Sequence, residues 1–386
     1  MLRYVLCAAA LVLAETPGMA QSAPVEFESD FDAVTVVGIP NETEPGTPDQ
    51  SLLYEISLDN RIEKVLENGL QIGGRLTLRG QRDNAARPGF LGNFDTADTP
   101  RGAYSGLSGQ APGLDSGARA QLEAAYLELD GGYGELRVGR DRGVAARFSE
   151  GAPSALSHAR INNPYLDPGG VKMLRTNHDL TGPSAKVSYA SPRILGLRAG
   201  ASFTPEADAD GLDRSLKSVA GQPELSNAFE AALNLSRRLR TPDVRIEAGL
   251  AWSKADVGQR LPGARESAET FSAGAALEFF GIEIGGSWLS SDNGFAAGDY
   301  TGWEIGALKA FGGTDVSLNY GESEDDLAGI EGKAFSLAVA RDLTDELALA
   351  VAYQDETLRR PGGNLGGSGI VVEITLSGDF FRISAF

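Results

Sequence analysis

Few residues in this chain could do chemistry alone. Among 386 residues there are two His and one Cys, little material for the His/Cys metal sites found in proteins. Ser157-His158 invites a hydrolase reading. A nucleophile, a base and an orienting group must converge in space, however, and adjacency in sequence does not supply that geometry. His158 and His178 are therefore expected to be solvated loop residues. Carboxylates are far more plentiful, with 53 Asp and Glu against 34 Lys and Arg and a net charge of −19. That balance excludes a nucleic-acid partner, because phosphate binding requires a basic footprint. Two acidic runs, Glu206/Asp208/Asp210/Asp213 and Glu322/Glu324/Asp325/Asp326, have the oxygen ligands for Ca²⁺ or for bridging to lipopolysaccharide. They lack the fixed spacing of a Ca²⁺ loop and read as solvated, self-repelling loops. The Gly-rich stretch 362–369 has no Lys-Ser/Thr and opens no helix, so it is not a phosphate loop. No cofactor is expected.

The elements that would position any site repeat one pattern. Leu347, Leu349, Val351 and Tyr353 alternate with Glu346, Ala348, Ala350, Ala352 and Gln354; Ile370, Val372, Ile374 and Leu376 alternate with Val371, Glu373, Thr375 and Ser377. Leu70/Ile72/Leu76/Leu78, Val244/Ile246/Ala248/Leu250/Trp252 and Phe271/Ala273/Ala275/Leu277/Phe279 do the same. Period two over so many segments predicts antiparallel strands with one apolar and one small or polar face. The breaks decide between a soluble sandwich and a membrane barrel. Short ones, such as Phe280-Gly281 and Phe311 to Gly313, alternate with long polar stretches at 81–117, 141–182, 205–226, 255–268, 292–299, 323–331 and 357–368. Tight turns at one end and long loops at the other predict an all-β, transmembrane, antiparallel up-and-down β-barrel of about sixteen strands. Closure satisfies the backbone in lipid, where an open sheet edge would not survive. Aromatics near strand ends, among them Tyr54, Tyr189, Phe203, Trp252, Phe279, Phe280, Trp288, Trp303, Phe311, Tyr320 and Tyr353, fit interfacial girdles.

Residues 1–20 read as a secretion signal. Arg3 is the positive start, Leu6 to Ala14 the apolar stretch, and Gly18-Met19-Ala20 the small-residue cleavage site. Cys7 would leave with it, so the exported barrel over 21–386 must hold together without a disulfide. Glycine, at 49 of the 386 residues of the whole chain, is nearly twice the usual ~7 %. The weakest strand candidate is 25–37, and Phe380 to Phe386 reads either as the tail of the last strand or as a short separate one.

With these features in place, the chain resembles the general diffusion porins of Gram-negative outer membranes. Ala125-Tyr126-Leu127-Glu128-Leu129-Asp130-Gly131-Gly132-Tyr133-Gly134-Glu135-Leu136-Arg137-Val138-Gly139-Arg140 is similar to the hairpin that this family places before its pore-narrowing loop. The terminal Phe386 resembles the aromatic read by the outer-membrane assembly machinery. The resemblance implies passive diffusion of ions and small hydrophilic solutes, no enzymatic activity, a cell outer-membrane location among lipid and lipopolysaccharide, and a homotrimer. Ala/Gly-rich outward positions such as Ala199, Ala201, Ala273 and Ala275 would then allow barrels to approach, with 81–117 reaching over a neighbour. It also implies that 141–182 folds into the lumen as a constriction loop.

If the apolar parity faces out, Arg75, Arg79, Arg137, Lys186 and Arg198 form a basic inner wall, and the loop brings Asp141, Glu150, Asp167 and Asp179 towards it. Opposed charge across a narrow aqueous gap creates a transverse field that sets ion preference. Inward small residues such as Ala348, Ala350 and Ala352 are expected to keep the bore wide. Two other functions fit the same barrel. A substrate-selective channel would need a binding track, and Phe90, Phe94, Tyr104, Phe148 and Tyr165 are not spaced as one. A barrel-borne hydrolase would need the convergence that Ser157-His158 does not show.

Overall fold

A computed structural model describes residues 24–45, 51–82, 84, 102–106, 118–207, 224–240, 243–258, 263–360 and 363–385. The proposed signal over 1–20 and the terminal Phe386 lie outside them. The alternating segments form sixteen strands: β1 (Val25–Thr43), β2 (Leu52–Val65), β3 (Gln71–Arg82), β4 (Ala118–Gly131), β5 (Gly134–Asp141), β6 (Ser184–Ala190), β7 (Leu197–Glu206), β8 (Leu225–Arg240), β9 (Asp243–Val257), β10 (Ser267–Phe279), β11 (Ile282–Ser291), β12 (Tyr300–Phe311), β13 (Thr314–Asp325), β14 (Ile330–Asp342), β15 (Leu347–Arg360) and β16 (Gly363–Ala385). Each pairs antiparallel with its sequence neighbours, and β1 pairs with β16 to close the barrel. Period-two alternation and closure are one fact physically: a side chain's parity decides whether it meets lipid or lumen.

The seam is where the alternation was hardest to read. In β1, Val34 and Val36 point inward and are fully buried, while Thr35 and Val37 face out opposite Ile374 and Val372. Both faces are apolar, so the period is lost although the strand is long. Phe380 to Ala385 is the tail of β16, with a register shift between Ser29/Asp30 where β1 passes Phe380. At the turn end, Phe280 and Gly281 have φ of 51° and 69°, and Gly312 and Gly313 have 56° and 84°. Two consecutive positive φ values make the type I′ turn whose twist matches a hairpin.

Outward residues such as Leu78, Val138, Leu250, Ile305, Leu318 and Val351 are exposed and apolar, as a lipid-facing band requires. Near the loop end, register places one outward aromatic on each of nine consecutive strands, β7 to β15: Phe203, Phe229, Trp252, Phe271, Trp288, Trp303, Tyr320, Phe335 and Tyr353. Neighbouring rings touch, with centroids 6.1 Å apart for Phe229–Trp252, 5.7 Å for Trp303–Tyr320 and 6.5 Å for Phe335–Tyr353. This row is a girdle at the interface, and it covers only part of the circumference.

A ladder without an edge cannot unzip strand by strand, so the purified protein should resist SDS until boiled and then migrate differently. Identical mobility of boiled and unboiled samples under several detergents would argue against a closed barrel.

Candidate functional site

The long loop after β5 lies inside the barrel. It starts with a helical turn, α1 (Val144–Arg147), packed near β7 to β9. It then runs along the inner wall past β16 to β1 and β2, turns at Asp167 to Gly170 and returns to β6. Its anchors are inward polar side chains that take up loop backbone groups, which could not stay unpaired against a wall. Glu373 accepts the N–H groups of Ser157, His158 and Ala159 at 2.8, 3.0 and 2.7 Å. Ser317 accepts from Ala155 N–H at 2.9 Å, and Asn319 Nδ2 donates to Pro153 O at 2.7 Å. Glu304 Oε1 accepts from Asn162 Nδ2, Thr176 Oγ1 and Ser287 Oγ at 2.8 to 2.9 Å. Glu230 holds both roots of the loop, accepting from Ala145 N–H and Thr181 Oγ1.

Apolar contact completes the anchoring. Leu156, Ala159 and Leu166 pack on inward Val34, Val36, Leu53, Ala350, Ala352 and Val371. Ala350 and Ala352 are therefore buried under the loop instead of widening the bore. His178, expected to be solvated, is fully buried, with Nδ1 2.8 Å from Ser272 Oγ and Nε2 2.7 Å from Ser253 Oγ. Burial pulls its pKa down to about 4, against a small opposing pull from Asp179. His158 lies in the loop with its ring 3.6 Å from Asp32.

An open space of about 720 Å³ remains between the loop and the opposite wall. Glu55, Arg79 and Arg142 line it from the wall side; Glu150, Arg160, Arg175 and Asp179 line it from the loop, and Glu283 and Glu304 lie along the covered wall. Arg79 stands 3.6 Å from Glu55 and 3.7 Å from Glu123. Glu123 is the residue skipped where the β3–β4 register shifts between Thr77 and Leu78. Such a bulge re-aims a side chain, and here it directs a carboxylate at two arginines, since Arg142 also reaches Glu123, at 2.7 Å. Arg142 further pairs with Asp179 at 3.3 Å. Glu150 accepts from Asn234 Nδ2 at 2.9 Å. Burial, helped by nearby Glu247, pushes its carboxyl above the ordinary range.

The residues expected at the constriction are thus divided. Arg79, Glu150 and Asp179 line the open space. Arg75 faces in but is paired with Asp59 at 2.7 Å, in a crevice with Tyr126 and Glu128. Arg137 is held by Glu128, Glu135 and Asp141 at 2.6, 2.8 and 3.1 Å, its guanidinium over Tyr126. Glu135 also takes Arg198 at 3.0 Å and Arg147. These form a network near the turn end, under α1. Asp141 accepts from the Arg142 N–H at 2.8 Å. Lys186 is buried at the loop root, donating to Thr181 Oγ1 and Gly182 O at 2.8 and 2.9 Å. Asp167 does not line the open space. It is buried at the far turn, where it accepts from Lys172 N–H at 2.8 Å, and Lys172 Nζ meets Glu356 at 3.2 Å.

Arg142, Arg160, Arg175, Glu55 and Glu123 escaped sequence reasoning. The loop arginines are visible in the sequence as charges, but sign alone does not tell which of them faces the open space. A bulge leaves no mark on composition. Among the described residues no three His, Cys, Asp or Glu side chains gather as metal ligands; Glu322 pairs with Lys333 at 2.7 Å, and Asp208, Asp210 and Asp213 lie outside the described residues.

The loop after β3, expected to reach over a neighbour, contributes a described segment, Gly102 to Gly106, that sits within its own barrel. Tyr104 is fully buried against Tyr300, ring centroids 5.4 Å apart. Burial raises its phenol well above the ordinary value.

Comparison with known proteins agrees with this geometry. The family model for Gram-negative porins matches residues 8–360. Among solved structures, OmpF of Salmonella typhi in complex with daunomycin aligns with a TM-score of 0.60 at 12 % identity, covering 92 % of this chain and 97 % of that one. OmpT of Vibrio cholerae in its trimer form aligns at 0.55 and 11 % identity, over 93 % and 100 %. The anion-selective porin of Comamonas acidovorans aligns at 0.52 and 15 % identity, again over 93 % and 100 %. No curated protein matches the chain by sequence.

Proposed function

Because the chain belongs to the Gram-negative porin family, an outer-membrane channel for passive diffusion, we propose that its selectivity filter is the gap between the long inward loop and the wall of β2 to β5. The observation that carries this reading is the lining of the 720 Å³ space. Arg79 projects from the wall, Glu150 from the loop, the Arg142–Asp179 pair lines the space at the root of the loop, and Arg160 and Arg175 stand on the loop. Small hydrophilic solutes pass between fixed charges of both signs. Salt at physiological strength screens surface charge beyond ~8 Å, so the −19 of the whole chain matters less to an ion in this gap than the few groups lining it.

Neutralising Glu55, Glu150 and Asp179 together is expected to shift selectivity towards anions, and neutralising Arg79, Arg142 and Arg160 towards cations. A unit charge ~6 Å from an ion in water changes its local concentration roughly threefold, so reversal potentials in a KCl gradient resolve either change. If both triple variants keep the wild-type reversal potential and single-channel conductance, the narrowest section lies elsewhere.

The reading extends to assembly. The aromatic girdle runs from β7 to β15; among the described residues of β16 through β6, Tyr54 is the one outward aromatic at the loop end. A lipid-facing surface carries interfacial aromatics, so the aromatic-poor sector is where barrels would meet in a homotrimer, and the girdle sector is where lipid and lipopolysaccharide lie. OmpT of Vibrio cholerae was solved in a trimer form, which supports the same assembly here. That choice replaces the Ala273/Ala275 patch, since Ala273 pairs with Trp288 inside the girdle sector. Phe386 would serve as the signal for the outer-membrane assembly machinery. Hydrolytic activity is not proposed: Ser157-His158 lies on a loop whose backbone is pinned to Glu373, and the one His bonded to serines, His178, is sealed from substrate.

A further inference from the structure

The outward face of the girdle sector is apolar with four exceptions. Between the aromatic row and the turns, the outward positions of β7 to β15 hold Ala, Gly, Val, Ile, Leu and Phe, except at Arg237, Lys309, Thr314 and Arg341. No Asp or Glu stands among them. The loop end of the same sector differs. There the outward cations meet carboxylates on the next strand: Lys254 with Glu269 at 2.7 Å, Lys333 with Glu322 at 2.7 Å and Arg359 with Glu331 at 2.9 Å. Among the described residues, Lys309 and Arg341 have no such partner. Asp315 and Asp342, their neighbours on β13 and β14, take the inward parity.

Three of the four exceptions form one patch. Thr314 pairs with Phe311 on one side and with Arg341 on the other, and Lys309 Nζ lies 5.0 Å from the centroid of the Phe311 ring. Phe311 is two residues nearer the turn, so the lysine extends towards the turn end and away from the apolar band. Phe311 and Arg341 are both exposed. Lys309, Thr314 and Arg341 each stand six residues turnward of the girdle aromatic on their own strand, Trp303, Tyr320 and Phe335. At ~3.3 Å per residue on strands tilted by ~40°, that is ~15 Å of depth. Extended side chains then carry both charges to the level where the apolar band gives way to the headgroups of the turn-side leaflet.

A cation at the edge of hydrocarbon needs an anion or an acceptor beside it. Two cations and a hydroxyl donor match the oxygens of a phosphate. A zwitterionic headgroup would set its own ammonium against Lys309 and Arg341, whereas a headgroup of net negative charge does not. We propose that Lys309, Thr314 and Arg341 form a binding site for the phosphate of an anionic phospholipid in the leaflet on the turn side. The proposal rests on the reading above that the girdle sector faces lipid, and adds the lipid class and the residues that select it.

The test uses the full-length protein in mixed micelles holding equal amounts of phosphatidylglycerol and phosphatidylcholine with the same acyl chains. Native mass spectrometry counts each lipid retained. One basic side chain near anionic lipid is worth roughly fivefold in affinity, so the wild type should favour phosphatidylglycerol by about tenfold. Lys309→Gln/Arg341→Gln should lower that ratio by about fivefold or more. Lys309→Arg/Arg341→Lys keeps both charges and should keep the ratio. Lys254→Gln/Lys333→Gln, at the loop end, should leave it unchanged. The idea is overturned if the wild type shows no preference, if the glutamine variant retains it, if the charge-keeping swap loses it, or if the loop-end variant loses as much. A photoreactive side chain at Leu318, outward on β13, should capture lipid; capture of a second copy of this chain would instead overturn the lipid-facing reading beneath the proposal. SDS resistance before boiling verifies that each variant is a folded barrel.

Discussion

Replacing Gly274 by Ala is expected to push the inward loop off the wall and raise single-channel conductance. Gly274 faces the lumen in β10, and a Cβ there would lie 1.9 Å from the carbonyl oxygen of Glu150. Gly249, the inward residue of β9 opposite Asn234, presents the same demand: its Cβ would meet Phe148 O at 2.2 Å. Both clashes are with main chain, so no rotamer change relieves them. Overpacking a fitted contact by one methyl commonly costs ~1–3 kcal/mol, and here the loop can escape into open space while the hydrogen-bonded wall cannot. With the loop displaced, the bore approaches that of an unobstructed sixteen-strand barrel, and a rise in conductance of about twofold or more is expected. Gly132→Ala, at a turn with nothing near its Cβ, serves as the control. If Gly274→Ala and Gly249→Ala conduct like the wild type and like that control, the loop does not rest on these glycines.

The same two positions mark what the sequence could and could not tell. The inward face of each strand was legible from the outward one, because Leu250 and Phe271 announce parity without ambiguity. Inward glycine was then read as empty bore. It is instead the floor on which Phe148 to Pro153 lies, and that assignment needs the loop's path. Charge suffered in the same way. Parity places Arg75, Arg137 and Arg198 inward correctly, but exposure to the ion path depends on partners. Arg137 has three carboxylates around it, and the bulge that aims Glu123 is set by a one-residue register slip. Asp167 has the sign expected of a filter residue, but Asp167-Pro168-Gly169-Gly170 forms a turn whose carboxylate satisfies nearby loop backbone, the Lys172 N–H. The strand at 25–37 was faint for a reason already visible in the sequence: valines at both parities remove the period that identifies a strand.

Acidification should loosen the return arm of the loop through His178. As a neutral imidazole the ring donates from one nitrogen and accepts at the other, which suits its place between the Ser253 and Ser272 hydroxyls. Protonation turns both nitrogens into donors and places a charge in a site with no access to water; the nearest compensating group is Asp179. The pKa of about 4 in the docked loop lies below the ordinary 6.5. The docked state therefore binds this proton more weakly than a state in which the ring is exposed. Docking stability is at its full value above pH 6.5, declines as the pH falls towards 4, and is flat below that. A gap of that size amounts to about 3 kcal/mol at most, enough to make a rarely displaced arm visible as excess open-channel noise or substates. Glu150, whose carboxyl burial also raises above the ordinary range, is a second acid-responsive group beside the loop, so the comparison that isolates the histidine is with His178→Gln, whose amide can donate and accept but does not titrate. Wild-type channels should become noisy between pH 6 and 4 while His178→Gln channels change far less. Equal acid sensitivity in the two would place the origin of the effect at the pore carboxylates and remove His178 from it.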